Sequence, residues 1–573
     1  MIGLSLPVIT WLLFAARDLK LEEFSSTEIA GKSIIALADG RSISGIPVEF
    51  SEEGTLNIYD LAEECPEPAT GLSVLVGTCD CPQETTLRIG LGADWKFRFY
   101  LNGKLLCDTF SCANGETIVA PWNHTVEATF AAGRNVMIYQ IYGGDRRADV
   151  AFKTMERRET ALRFGPWPQF PSHNEMSIAF TSTRPTAAGV AYRVKGAADW
   201  MEVDDCIGGQ LNRDKAVHVV RLKNLLPNTV YEYQALLYNE DHSEEGLAPI
   251  GPIQEFTTAP TDDSDYSFVA TGDLQYPKEV VTDFFQQMFG REKKADFFVY
   301  LGDAVWNSNF EKEYIQDLLL PAFRAGAPAT FVPVRGNHER YGRDSASYFK
   351  YFTSPAPGRE GYGIFRWGNT CFLRLDFCDD KGTVPAPSTR AFHRIEPYLD
   401  EEEEWLKQIV QTSAFKDAKY RVVLAHGLPA GDWEQYMPQR LRKMIEPLFG
   451  GSHPAYPIHL WLGGHVHYAL RTMPGEQACR ATTNPALLCR RFPEGWKEAE
   501  GPLNFPVCAV SGPRDANAQE FQMTYLTVYV TKQRLTVISK DKNGNCYDKF
   551  SVTPEGEFVE EFSSGAFPLY RWP

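Results

Sequence analysis

The sequence lacks an apolar run long enough to cross a lipid bilayer. Its longest apolar stretch, Ile2 to Ala16, is shorter than the roughly 20 residues that a spanning helix needs, and Pro7 interrupts it. No basic segment precedes it, so residues 1–25 are interpreted as an apolar segment that is either weakly signal-like or a buried first strand over Val8 to Phe14. We therefore expect no membrane span and a soluble protein, with a cytoplasmic location favoured over export.

Positive charge is scarce. The chain has 57 Lys and Arg against 74 Asp and Glu, which gives a net charge of −17. Such an acidic chain is a poor non-specific binder of nucleic acid, so nucleic acid is not expected as a structural partner. An anionic substrate stays compatible with this charge, because bound metal ions reverse the local potential at a site.

The cysteines also lack the spacing that is typical of zinc fingers. The 12 cysteines include no C-x-x-C pair with matching partners, and in a chain of this size buried thiols are favoured over a disulfide framework. There is no internal repeat and no low-complexity tract. With 573 residues, 43% of them hydrophobic, the chain is an ordinary globular protein of several domains.

Five short fragments carry chemistry. They are Gly272-Asp273-Leu274-Gln275, Gly302-Asp303, Gly336-Asn337-His338-Glu339, the single His426, and Gly464-His465-Val466-His467. Each follows an apolar, strand-like run, and polar loops that follow strands form sites at the carboxyl edge of an α/β sheet. Together the fragments supply seven oxygen or nitrogen ligands, enough for two metal ions.

The seven ligands divide into two sets that share one carboxylate. Two cations about 3.5–4 Å apart repel, so an anionic oxygen normally bridges them, and Asp303 lies between the other ligands in chain order. One ion would take Asp273, Gln275, Asp303 and His467, and the other would take Asp303, Asn337, His426 and His465. Amide oxygens and imidazoles favour Mn, Fe, Zn or Co over Ca or Mg, and the lack of thiolates argues against a closed structural zinc site.

In their order, these fragments resemble the motifs D-x-[HQ], GD, GNH[ED], H and GHxH of the calcineurin-like metallophosphoesterase superfamily. The chain departs from that pattern twice. Gln275 replaces a frequent His, a form similar to manganese-dependent nucleotide-diphosphate-sugar pyrophosphatases, and Gln275 is either a ligand or a hydrogen-bonding neighbour of the ligands. Trp306 replaces the metal-binding Tyr of purple acid phosphatases, and its indole N–H cannot ligate a cation.

The resemblance implies a dinuclear-metal-dependent phosphoester hydrolase, either a phosphatase or a phosphodiesterase. A metal-bridging hydroxide would attack phosphorus, with Asp303 holding both ions and His338 as the general acid for the leaving group. The substrate would be a phosphorylated small molecule or glycan. Glu339 and Asp376 are either orienting partners of the imidazoles or simply solvated loop or capping carboxylates. The alternative function is a non-catalytic carbohydrate-binding or adhesion protein with a degenerate phosphoesterase domain.

The rest of the chain predicts a domain order similar to that of purple acid phosphatases. Residues 26–158 resemble a galactose-binding-like β-sandwich. Residues 160–259 resemble a fibronectin-like or immunoglobulin-like sandwich, in which Tyr231 would form a tyrosine corner. Residues 265–553 would form the four-layer αββα metallophosphoesterase domain of an α/β fold, with helices over Lys278 to Phe289 and Asp400 to Val410. Residues 554–573 are expected to form a loosely held tail.

Overall fold

The computed structural model describes residues 9–15, 29, 32–37, 39–58, 61, 72–111, 119–121, 123–142, 149–155, 160–238, 247–275, 278–310, 313–327, 330–353, 361–377, 394–430, 436–450, 456–482, 502–512 and 523–571. The chain divides into two compact units. The first comprises residues 1–159 and 240–244, and the second comprises residues 160–239 and 245–573.

The first unit is a β-sandwich. Its strands are β1 (Thr10–Ala15), β2 (Ile34–Ala36), β3 (Ser42–Ser44), β4 (Ile46–Val48), β5 (Thr55–Asn57), β6 (Leu72–Cys81), β7 (Thr85–Ala93), β8 (Lys96–Leu101), β9 (Lys104–Asp108), β10 (His124–Phe130), β11 (Gly133–Tyr142) and β12 (Asp149–Met155). A six-stranded sheet in the order β4-β1-β6-β11-β8-β9 faces a four-stranded sheet in the order β10-β7-β12-β5.

Apolar side chains at every second position of the strands fill the space between these sheets. In β8, Phe97, Phe99 and Leu101 are buried while the residues between them are half-buried, as the alternation predicts. Strand β1 pairs antiparallel with β6 and buries Trp11 and Leu13 in the same core. Residues 10–15 therefore form the buried first strand, which was one of the two interpretations of this segment. The likeness to galactose-binding-like modules stays a prediction.

The second unit begins with another β-sandwich. Its strands are β13 (Leu162–Gln169), β14 (Glu175–Ser182), β15 (Ala188–Val194), β16 (Met201–Asp204), β17 (Cys206–Ile207), β18 (Gln210–Leu211), β19 (Val217–Lys223), β20 (Val230–Tyr238) and β21 (Leu247–Thr257). Strands β19, β14 and β13 pack against the sheet β16-β15-β20-β21 around one apolar core. The Tyr231 hydroxyl accepts a hydrogen bond from the backbone N–H of Leu226 at 2.8 Å, which confirms the predicted tyrosine corner.

His218 makes this sandwich sensitive to acid. Its ring is buried, and Nε2 lies 2.9 Å from the Ser182 hydroxyl. Burial lowers the pKa of His218 from 6.5 to about 4. Between these two pH values the unfolded chain binds a proton that the folded chain does not, so stability falls as the pH drops through this window.

We expect His218→Gln to weaken that dependence, because glutamine keeps a polar group at the site and does not titrate. Between pH 7 and pH 4 the wild type should lose on the order of 2 kcal/mol more unfolding free energy than the variant does. Thermal midpoints measured across this range check the expectation. Parallel pH profiles for the two proteins would contradict it, since every other titrating group is common to both.

The remaining elements form the α/β part of the second unit. The strands are β22 (Tyr266–Thr271), β23 (Phe297–Tyr300), β24 (Thr330–Pro333), β25 (Gly363–Trp367), β26 (Thr370–Arg374), β27 (Tyr420–Leu424), β28 (Leu460–Gly463), β29 (Leu470–Thr472), β30 (Ala478–Ala481), β31 (Val507–Ala509), β32 (Thr524–Val530), β33 (Leu535–Asp541), β34 (Cys546–Val552), β35 (Phe558–Ser563) and β36 (Leu569–Arg571). The helices are α1 (Lys278–Arg291), α2 (Leu320–Arg324), α3 (Tyr348–Tyr351), α4 (Ile395–Ile409), α5 (Ser413–Lys416) and α6 (Tyr436–Phe449).

These elements stack in four layers, which confirms the expected αββα fold. A ten-stranded sheet in the order β19-β14-β13-β24-β23-β22-β32-β33-β34-β35 faces an eight-stranded sheet in the order β25-β26-β27-β28-β31-β29-β30-β36. Buried residues of both, such as Phe268 and Phe372, form the core between them. Helix α1 covers the outer face of the first sheet, and α4 and α6 cover the outer face of the second.

The sandwich and the α/β part share a sheet. Strand β13 pairs in parallel with β24, with Gln169 opposite Phe331. The Gln169 side chain also donates a 2.6 Å hydrogen bond to the carbonyl of Tyr351. The predicted boundary between residues 259 and 265 therefore separates two stretches of sequence whose strands belong to one continuous sheet.

The carboxyl-terminal segment differs from the expected loose tail. Strand β35 extends the ten-stranded sheet next to β34, and β36 pairs with β30 in the other sheet. Glu560 in β35 accepts a 2.5 Å hydrogen bond from Arg471, whose buried guanidinium also contacts Asp548 at 2.6 and 3.0 Å. A buried guanidinium is costly unless carboxylates pair with it. The ion pair between Arg471 and Glu560 therefore holds the acidic carboxyl-terminal segment in place.

Two helices were predicted in the α/β part. Helix α1 begins at Lys278 as predicted, and α4 begins at Ile395, five residues before the predicted start at Asp400. The described cysteines, Cys79 and Cys81 among them, are free thiols. No helix in the described part of the chain is long and apolar enough to cross a membrane.

Candidate metal centre

All five motif fragments converge at one edge of the two facing sheets. Strands β22, β23 and β24 are parallel neighbours in one sheet, and β27 and β28 are parallel neighbours in the other. Each fragment begins within three residues of the carboxyl end of its strand. Parallel strands in a sheet bring their carboxyl ends to the same side, so ligands far apart in sequence meet there.

Asp303 lies at the centre of the cluster and is fully buried. Its Oδ2 is 3.3 Å from Nε2 of His426 and accepts a 2.8 Å hydrogen bond from the Gln275 side chain. Its Oδ1 accepts the backbone N–H of His338 at 3.0 Å. One carboxylate thus contacts residues from three other fragments.

Asn337 and His465 lie beside this carboxylate. The side-chain oxygen of Asn337 is 3.0 Å from Nε2 of His426 and 3.1 Å from Nδ1 of His465. Asp273 accepts the backbone N–H of His465 at 2.9 Å and lies 3.5 Å from Nε2 of His467. Asn337, His426 and His465 are thus in contact, and Asp273 lies beside His465 and His467, while the division into two ligand sets stays a prediction.

Four of the candidate ligands have strained backbones. Asp273, Asp303, His465 and His467 have φ values of 56°, 60°, 70° and 57°, in the left-handed region that side chains with a Cβ rarely adopt. Such conformations persist when the surrounding structure imposes them, and they cluster at functional sites. Gly464 provides the space that Asp273 needs, because a Cβ at residue 464 would overlap Oδ2 of Asp273.

The donor set fits divalent cations. Oδ2 of Asp273 is buried without a hydrogen-bond partner, an arrangement that a cation would satisfy. Ligand atoms of Asp273, Asp303 and His426 all lie within 4.8 Å of one another, a spacing that can hold a metal ion.

Burial and neighbouring charges control the protons of this cluster. Burial raises the pKa of Asp273 to about 7. Burial acts to lower the pKa of His426, but the Asp303 carboxylate outweighs this effect and raises it to about 9. For Asp303 the effect of burial is in turn outweighed by His426, so its pKa lies below the usual value. Without metal, a histidinium therefore neutralises the central carboxylate, and a divalent cation would supply that positive charge instead.

Glu339 caps backbone N–H groups and has, among the residues that the structure describes, no contact that would orient an imidazole. Its two oxygens accept the backbone N–H groups of Asp303, Ala304 and Gly336 at 2.9, 2.6 and 2.7 Å. It thereby joins the loop after β23 to the loop after β24. Because it holds the backbone of two ligand loops, its contribution to the site is positional.

Asp376 binds an arginine beside the ligand loop. It receives two hydrogen bonds from Arg335, at 2.9 and 2.6 Å, and one from the Tyr398 hydroxyl at 2.5 Å. Its own backbone N–H donates to Glu402 at 2.7 Å. Arg335 immediately precedes Gly336, so this pair anchors the loop after β24 against helix α4.

His338 lies at the outer side of the cluster. Its side chain is 19% exposed, whereas that of Asp303 is 1% exposed. Nδ1 lies 2.7 Å from the carbonyl of Trp306, which can only accept, so Nδ1 carries a proton. Nε2 is then directed to the cluster, 3.9 Å from Oδ2 of Asp303. The imidazole is thus oriented to exchange a proton at Nε2.

Gln275 has the geometry of a hydrogen-bonding neighbour. Its amide nitrogen donates to Oδ2 of Asp303 at 2.8 Å, and the residue is 4% exposed. This contact agrees with the second of its two predicted roles, and ligation through its amide oxygen stays a prediction.

Comparison with known proteins identifies the domain that carries this cluster. Residues 266–469 match the family model of the calcineurin-like phosphoesterases, so this stretch is a calcineurin-like phosphoesterase domain, as the motifs predict. The match spans all five motif fragments.

Two solved structures are similar at low identity. A purple acid phosphatase isolated from yellow lupin (Lupinus luteus) seeds is 14% identical, and the match covers 84% of this chain and 93% of that one with a TM-score of 0.49. The structure of PhoD is 12% identical, and the match covers 70% of this chain and 92% of that one with a TM-score of 0.46. No curated protein sequence matches the chain.

Proposed function

We propose that this chain is a metal-dependent phosphoester hydrolase. Asp273, Asp303, Asn337, His426, His465 and His467 would hold two divalent cations drawn from Mn, Fe, Zn and Co, with Gln275 as a further ligand or a neighbour. The observation that carries the proposal is the convergence of these residues around Asp303, within a domain that matches the calcineurin-like phosphoesterases. The substrate would be a phosphorylated small molecule or glycan.

The arrangement supports two cations because one carboxylate, that of Asp303, contacts residues of both predicted ligand sets. Oδ2 of Asp303 lies 3.3 Å from Nε2 of His426 and 2.8 Å from the Gln275 amide nitrogen, so this carboxylate is next to residues of both ligand sets. Cations bound there would supply the positive charge that offsets the charge of a phosphoester and would activate water at neutral pH. The buried environment strengthens this effect, since charges interact more strongly where water is excluded.

His338 would deliver a proton to the leaving group. The hydrogen bond from Nδ1 to the Trp306 carbonyl fixes the orientation of the ring. In the imidazolium form, Nε2 can then donate to an alkoxide that leaves on the outer side of the cluster. The backbone N–H of His338 also donates a hydrogen bond to Asp303, which fixes the position of the proton donor relative to this ligand.

Turnover by separately metal-loaded samples tests this proposal. The metal-free protein is given Mn, Zn, Fe or Co and assayed with p-nitrophenyl phosphate and with bis(p-nitrophenyl) phosphate. We expect hydrolysis of at least one ester with at least one metal, and loss of that activity when the metal is removed by a chelator. If no metal-loaded sample hydrolyses either ester, the alternative of a non-catalytic carbohydrate-binding or adhesion protein is favoured instead.

A further inference from the structure

Trp306 is an exposed tryptophan beside the proposed proton donor. The residue is 61% exposed, and its neighbour Asn307 is exposed too, whereas Ala304, Val305 and Ser308 are buried. A large aromatic side chain in solvent exposes apolar surface that burial would stabilise. An exposed residue of this kind at the mouth of a site indicates contact with a ligand.

The loop that carries Trp306 is held rigidly on both sides. Before it, the N–H of Ala304 donates to Glu339 at 2.6 Å. After it, the N–H of Ser308 donates to the carbonyl of Tyr341 at 2.7 Å, and the Ser308 hydroxyl donates to the carbonyl of Glu339 at 3.1 Å. The indole is therefore presented to solvent from a fixed backbone, so that little ordering entropy is lost when a ligand packs on it.

The indole is also close to the reacting atoms. The centroid of its ring is 5.5 Å from that of His338, and the two planes meet at 78°, so the imidazole does not stack on the indole. Tyr341 flanks the imidazole as well, at 5.3 Å. A leaving group that receives a proton from Nε2 of His338 would lie against this imidazole, and the indole of Trp306 is the neighbouring ring at 5.5 Å.

We propose that Trp306 is a specificity-determining residue that stacks on a flat aromatic group carried by the leaving alcohol. This inference rests on the proposed hydrolysis and names its substrate class, which is phosphoesters whose leaving group bears an aromatic ring. Aromatic rings and nucleobases stack on tryptophan whatever their pattern of hydrogen-bonding groups. The Trp306 side chain makes the contact, while its backbone carbonyl independently orients His338.

Kinetics with two matched substrates test the inference. Benzyl phosphate and n-butyl phosphate both release a primary alcohol, and only the first carries a ring. Trp306→Ala should raise KM for benzyl phosphate about 5–100-fold with little change in kcat, and should leave both constants for n-butyl phosphate nearly unchanged. Trp306→Phe should retain most of the preference for benzyl phosphate. The control is Trp95→Ala, which removes a tryptophan that is 41% exposed and lies outside the phosphoesterase domain.

The affinities of non-hydrolysable analogues separate this inference from the proposed function. Isothermal titration of metal-loaded protein with benzylphosphonate and n-butylphosphonate needs no turnover. Tighter binding of benzylphosphonate that Trp306→Ala abolishes supports the stacking role, even if no ester is hydrolysed and the proposed function fails. Equal affinities in the wild type, or an equal loss for both ligands in the variant, would overturn it. A fall in kcat for both esters would likewise overturn it, because it would show that Trp306 acts through His338.

Discussion

Asp303→Asn is expected to abolish turnover of every phosphoester and to lower the bound metal from two ions per chain to one or none. The substitution keeps the size of the side chain and removes the charge that two cations would share. It also removes the anion that His426 and the Gln275 amide contact, at 3.3 and 2.8 Å. Metal content measured by elemental analysis, together with turnover of p-nitrophenyl phosphate, checks both parts of this expectation.

Asp296→Asn is the matched control for that variant. Asp296 immediately precedes strand β23 and Asp303 follows it, so the two substitutions change the same residue type at opposite ends of one strand. The Asp296 side chain accepts the backbone N–H of Ser267 at 2.9 Å, away from the ligand cluster. We expect this control to keep its metal and its activity. Full activity and two ions in Asp303→Asn would contradict the bridging role.

His338→Ala is expected to slow substrates with poor leaving groups by roughly 10²–10⁴-fold while both ions stay bound. A good leaving group such as p-nitrophenolate needs little protonation, so p-nitrophenyl phosphate should lose far less activity. The backbone N–H of His338 would still hold Asp303 at 3.0 Å, and for this reason the metal should remain. Comparing p-nitrophenyl phosphate with an alkyl phosphate in the same samples measures the difference.

Two other outcomes for His338→Ala have distinct meanings. An equal loss for aryl and alkyl esters with metal content intact would contradict the general-acid role and indicate that His338 positions the substrate. Loss of metal would indicate that the side chain supports the cluster structurally. Both are distinguishable from the expected result by the same two measurements.

The positions of the five ligand loops were predictable from sequence because each motif follows an apolar run that forms a strand. Asp303 after β23 and His426 after β27 are examples, and both lie where the parallel strands end. The tyrosine corner at Tyr231 was equally predictable, since the pattern around it is local. Local patterns of this kind specify an element and its ends without knowledge of its partners.

Features that depend on distant partners were not predictable in the same way. The sequence left Glu339 between two roles, because its three backbone donors come from two loops that meet only in the folded chain. The carboxyl-terminal segment was expected to be loose. Its partner Arg471, which binds Glu560, is 89 residues away in sequence, so the sequence does not reveal this contact. Trp306 was noted only as a residue that cannot ligate metal, because its exposure is a property of the folded chain.

The metal stoichiometry of the full chain tests the central claim most directly. Metal-free protein is titrated with Mn²⁺ by isothermal calorimetry, and bound metal is counted by elemental analysis after desalting, for the wild type and for Asp303→Asn. The two ligand sets built around Asp303 predict two ions per wild-type chain and at most one in the variant. One bound ion or fewer per wild-type chain, with Mn²⁺ and when the titration is repeated with Zn²⁺, Fe²⁺ and Co²⁺, would contradict the proposed dinuclear centre.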